Sequence, residues 1–93
     1  MSQNMEALAI ANTIRLGGVM VRQELSAGVI TLAQALADPR SGHLPVNRVL
    51  CSMDYWGPVK SDSLLMRLHI WPSRRVDRLT ERQRRLIVEE VQR

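Results

Sequence analysis

A chain of 93 residues with 45% apolar content has room for one domain, which excludes a multidomain arrangement and a wholly disordered tail. With no Phe, one Tyr and two Trp, the core has to come from Leu, Val, Ile, Met and Ala, which suits packed helices better than a β-sandwich. The net charge of +4 sits entirely in residues 45–93, where ten basic side chains meet six acidic ones, and twelve of the thirteen cations are Arg. Planar guanidinium forks grip phosphate, although net charge alone fits a solvated surface equally well. The single cysteine, Cys51, excludes an internal disulfide, fits a reducing cytoplasm and reads as a buried structural thiol. No apolar run approaches the ~20 residues of a membrane span, and the N-terminus has no basic leader before a long apolar run.

Residues 5–25 predict a first helix, with Leu8, Ala11, Ile14 (or Arg15), Val19 and Leu25 at near-helical spacing. Gly17 and Gly18 predict a kink or break in it, because adjacent glycines cost roughly 1–2 kcal/mol against alanine. Thr31 and Gln34 form a capping box that opens a short helix over about 31–37. A loop from Asp38 to Gly42 follows. Pro45 suits the first turn of a third helix with Val46, Val49, Leu50 and Met53 inward. Residues 54–58 turn the chain, and a fourth helix over 59–68 points Val59, Leu64, Leu65 and Leu68 inward. Trp71 beside Ile70 and Pro72 reads as core. Ser73 to Leu79 is a basic connector. Thr80 and Gln83 cap a last helix anchored by Leu86, Ile87 and Val91 and decorated by Arg82, Arg84, Arg85 and Arg93.

These elements describe an all-α protein of five helices. Residues 1–28 are expected to form an N-terminal helix that projects. Residues 29–93 are expected to form a compact domain with a helical hairpin at about 45–72 and a C-terminal helix.

The hairpin segment carries the chemistry. A short helix, a tight turn and a second helix place backbone N–H groups and a helix dipole where an anion can sit. Gly57 would let the backbone approach a ligand closely, and Lys60 adds a point charge in the following first turn. The connector places Arg74, Arg75 and Arg78 beside Ser73, and a loop of this kind can insert Arg into a minor groove. The bland alternative is a solvated loop with Arg82 and Arg85 paired to nearby Glu side chains. Trp56 either packs over the hairpin or touches the sugar edge of a nucleic acid. Catalytic readings are weak. His43, His69 and Cys51 stand apart without zinc spacing, the glycine pair lacks a P-loop pattern, and Asp54 and Asp62 read as helix caps. No enzyme activity, metal or cofactor is expected.

The order of residues resembles the actinobacterial integration host factor family. The resemblance rests on Val-Asn-Arg-Val-Leu-Cys-Ser-Met-Asp-Tyr-Trp-Gly-Pro-Val-Lys, then Leu-Leu-Met-Arg-Leu-His-Ile, then Ser-Arg-Arg-Val-Asp-Arg-Leu. The upstream run from Arg22 to Ala37 also resembles that family's second-helix region. The similarity covers about residues 6–88 and implies a helix–two-turns–helix unit. It also implies a monomeric, sequence-tolerant, nucleoid-associated protein that binds double-stranded DNA and assists site-specific recombination.

By position, the resemblance puts Gly57 and Lys60 at the turn that meets phosphate and Arg74 and Arg75 at the paired connector arginines that meet DNA; Val59, Ser73 and Arg78 are read as DNA-binding positions beside them. Trp56, Arg82, Arg15 and Arg22 are secondary DNA-binding or interaction positions. This chain departs from the pattern at several places. Tyr55-Trp56 replaces a Gly-Val pair, Pro58 removes an amide donor, His69 replaces a Gly in a left-handed cap, and Asp77 replaces a third Arg. The departures suggest a diverged copy, such as one carried by a phage. They leave two further readings open. The chain has lost DNA binding and engages a host protein through Tyr55, Trp56 and the first helix, or it associates with RNA or the ribosome, since helix–two-turns–helix also occurs in a ribosomal protein.

Overall fold

Two capping boxes form as the sequence predicts. Thr31 Oγ1 accepts from Gln34 N at 3.1 Å while Gln34 Oε1 accepts from Thr31 N at 2.8 Å. Thr80 and Gln83 repeat the exchange at 3.0 and 2.9 Å. Each satisfies two otherwise unpaired donors and contributes about 1 kcal/mol to its helix start. The computed structural model describes residues 2–92, with side chains from Ala7 onward, so Arg93 lies outside the described residues. The α-helices are α1 (Ser2–Ser26), α2 (Leu32–Ala37), α3 (Val46–Leu50), α4 (Pro58–Arg67) and α5 (Glu81–Gln92). Short 3₁₀ turns occupy Pro39–Ser41 and Val76–Arg78, and no strand occurs among the described residues. No described helix is long and apolar enough to cross a membrane.

The expected break at Gly17-Gly18 is absent, and α1 runs through both residues. Close packing explains why. A Cβ at Gly18 would lie 2.8 Å from His43 Cε1, and one at Gly17 would lie 3.4 Å from Arg40 Cβ. The glycines make a flat patch on the helix where the His43 ring and the Arg40 stem rest, and that packing offsets their poor helix propensity. The helix stops at Gly28, whose φ of 77° suits a left-handed C-terminal cap, while Val29 N donates to Glu24 O at 2.9 Å. From Ala7 to Leu16 every residue of α1 is exposed, whereas Val21 and Leu25 are buried.

The core gathers Val21 and Leu25 of α1, Ala35 and Leu36 of α2, Val46, Val49 and Leu50 of α3, and Leu64 and Leu65 of α4. Ile70, Val76 and Leu79 join from the connecting segments, and Ile87 from α5. Fully burying each Leu, Ile or Val contributes roughly 1.5–3 kcal/mol.

Several expectations are corrected. Val59 is 80% exposed, because α4 begins at Pro58 and turns its first residues outward. Trp71 is 71% exposed. After α4, His69 takes φ 59°, Ile70 N donates back to Leu65 O at 2.9 Å, and Ile70 fills the core, leaving the next side chain outside. Cys51 is half-buried at the end of α3, with Sγ 3.5 Å from Ser61 Oγ. Neither Asp54 nor Asp62 caps a helix. Gly57 is the N-cap of α4, and Asp62 accepts from Asn47 Nδ2 at 3.3 Å.

The segment after α2 is tied to α1 by one arginine. Arg40 Nη2 lies 2.7 Å from Glu24 Oε2 and 2.8 Å from Asp38 Oδ2, and Asp38 Oδ1 also accepts from Arg40 N at 2.9 Å. The side-chain hydrogen bond from Arg40, and then its backbone N–H, hold the Asp38 carboxyl below its usual range. A lowered folded-state value means this stabilisation is present above the unfolded-state value and is lost as pH falls through the lowered one. Acid unfolding followed by circular dichroism should therefore show stability declining below about pH 4, with a smaller decline in Asp38→Asn. Identical acid limbs for the two proteins would remove Asp38 from that response.

Candidate nucleic-acid interface

Backbone hydrogen bonds lock the connector in place. Val46 N donates to Arg74 O at 2.8 Å, Val76 N to Leu44 O at 2.9 Å, and Asp77 N to Gly42 O at 3.0 Å. Asn47 N donates to Pro72 O at 3.0 Å, and Pro45 and Arg75 form an isolated antiparallel bridge. With Val76 buried beneath, residues 72–77 are stitched to the start of α3. The basic segment is therefore held against residues 42–47, which lead into the first turn of α3.

The hairpin itself consists of α3, two turns and α4. Ser52 N donates to Val49 O and Met53 N to Leu50 O in the first turn, and Trp56 N donates to Met53 O in the second. The second turn needs a left-handed residue, and Tyr55 supplies it at φ 69° with its side chain 94% exposed. That conformation costs a non-glycine residue roughly 1–2 kcal/mol. Tyr55 and His69 are the non-glycine residues with a left-handed backbone among the described residues, and each carries that cost in strain.

Gly57 lies exposed at the α4 N-cap with open space where a Cβ would project, and its φ is an ordinary −81°. The position leaves room for a ligand but does not require glycine for its own geometry. Lys60 is exposed in the first turn, with Nζ 4.4 Å from the centroid of the Trp56 ring. Trp56 is half-buried and packs against the core, so it covers the hairpin and seats the lysine.

Ser73 and Pro58 line one shallow groove with Pro45, Asn47 and Arg48. The groove joins the connector to the α4 N-terminus, where the dipole and the unpaired N–H groups favour an anion. Its lining contains no carboxylate. Arg48 and Asn47 were not among the predicted site residues. The signal existed: with Val46, Val49 and Leu50 inward, helical spacing turns Arg48 outward beside the hairpin turn.

The connector arginines divide. Arg75 Nη2 lies 2.6 Å from Asp77 Oδ2, so its charge is compensated. Arg74 donates through Nε and Nη2 to the Arg78 carbonyl, at 3.3 and 3.2 Å, and has no carboxylate partner among the described residues. The Arg78 guanidinium is exposed and has no partner among them. Arg82 is exposed at the start of α5. Arg84 and Arg85 line a separate groove between α2 and α5 together with Glu81 and Glu89. Arg15 and Arg22 lie on α1, in a groove against His43, Pro45 and Arg48.

A family model described as an S13-like H2TH domain matches residues 23–91. No curated protein and no solved structure matches the chain.

Proposed function

We propose that this chain, which belongs to the S13-like H2TH domain family, binds double-stranded DNA as an architectural protein and performs no chemistry on it. The family supports nucleic-acid binding by a helical domain. The finer reading adds duplex DNA, a nucleoid-associated role of the integration host factor type, and assistance to site-specific recombination. Its strongest support is the connector clamped to residues 42–47 at the entry to α3, beside which Ser73 and Arg48 line one groove with the α4 N-terminus and no carboxylate lines it. Arg74 and Arg78 add positive charge on that same fixed segment. Contacts of this kind engage phosphates, which position a protein without reading bases, so binding tolerates sequence and follows duplex shape.

A protein neutralising ~4 phosphates should show log affinity falling against log salt with a slope near about −3.6. Titrating random-sequence duplex at several ionic strengths measures this. Absence of binding at low salt rejects the reading, and tighter binding to structured RNA than to duplex DNA replaces it with an RNA-associated role.

A second reading is favoured by the exposed apolar side chains Leu8, Ile10 and Leu16 on α1, with Tyr55 and Trp71. Here the chain engages a protein partner. Nuclease-insensitive co-purification together with a negative duplex titration selects that reading.

A further inference from the structure

We propose that the groove between α1 and the His43–Arg48 segment is a second phosphate-binding surface, which carries the nucleic-acid backbone onward from the α4 end of the hairpin. This rests on the duplex-binding reading above. Arg15 and Arg22 are seven residues apart, so they stand about two helical turns, roughly 10 Å, along one face of α1. His43, Pro45 and Arg48 form the facing wall, and no Asp or Glu lines the groove.

Three observations point to an anion there. The first is an unpaired donor: Arg22 Nε is buried and has no hydrogen-bond partner among the described residues. Buried donors in native proteins are nearly always paired, so this guanidinium keeps hydrogen-bonding capacity that the fold leaves unused. The second is a contrast among the arginines. Arg40 and Arg75 are held by carboxylates, whereas Arg15 and Arg48 are exposed without a carboxylate partner among the described residues. The third is continuity. Pro45 and Arg48 line both this groove and the one that holds Pro58 and Ser73, so the two surfaces are adjoining stretches of a single track. Gly18 keeps the track's wall in place, because only a residue without a Cβ lets the His43 ring lie against α1.

Fluorescence anisotropy of a long random-sequence DNA duplex, read across a salt series with the full chain, tests the proposal. Arg15→Gln changes one exposed side chain that lines this groove and not the hairpin groove, and circular dichroism confirms that its helices and melting are those of the wild type. Losing one phosphate contact lowers the salt slope by about 0.9, with affinity roughly tenfold lower at 0.1 M salt. Arg22→Gln, where it remains folded, lowers the slope by about 0.9. An unchanged slope and affinity in the folded Arg15→Gln variant overturns the second surface and leaves the hairpin reading intact. A wild-type protein that ignores duplex DNA overturns both readings, and binding of an acidic peptide in its place would assign the groove to a protein partner.

Discussion

Replacing Arg74 and Arg78 together with alanine should weaken duplex binding roughly tenfold to a hundredfold at 0.1 M salt, on every sequence alike, and flatten the salt slope by about 1.8. The structure selects this pair over the adjacent Arg74 and Arg75. Arg75 lies 2.6 Å from Asp77 and brings little uncompensated charge to a phosphate. Arg74 is held only by a neutral carbonyl, and Arg78 by no described side chain, so both guanidinium groups keep their full charge for a polyanion. The companion variant Asp77→Asn works in the opposite direction. It releases Arg75 without changing side-chain size, so affinity should rise and the slope steepen by about 0.9. Gel shifts with random duplexes at two ionic strengths read both effects. If the double variant binds like the wild type, the connector is not part of the interface.

Truncating Ile87 to alanine should destabilise the protein by roughly 2–5 kcal/mol. Ile87 is the fully buried side chain of α5, which otherwise leans on the body through half-buried Val88 and Val91. A domain of this size is stable by only about 5–15 kcal/mol, so the loss takes a large share. Urea unfolding followed at the α-helical circular dichroism band measures it, and a cost below about 1 kcal/mol would mean that α5 is not held as its burial implies. The two variants separate folding from binding. Ile87→Ala lowers apparent affinity only through its unfolded fraction and leaves the salt slope alone, because it removes no cation. Arg74→Ala/Arg78→Ala changes the slope and leaves the melting transition largely where it was.

Much of the architecture was legible along the chain. The capping boxes at Thr31 and Thr80, the apolar spacing of Val46, Val49 and Leu50, and the start of α4 next to Pro58 are local signals, and local hydrogen bonds and periodicity realise them. The errors share a cause. Gly17-Gly18 reads as a break on propensity, Trp71 as core on hydrophobicity, and Val59 as inward on spacing. Each outcome depends on what another part of the chain presents: the His43 ring at α1, Ile70 filling the place beside Leu65, and the outward first turn of α4.

The interface shows the same division. Composition and order alone determined that the protein is helical, that its excess charge is arginine in the second half, and that Gly57, Lys60, Ser73 and Arg74 lie in a hairpin and the connector after it. Which cations remain uncompensated was decided only in three dimensions. Asp77 closes on Arg75, Asp38 and Glu24 close on Arg40, and Arg48 comes to stand between two grooves. Charge is a property of the sequence, but its compensation depends on ångström-scale separations that the fold sets, because Coulomb attraction in water fades within about one Debye length.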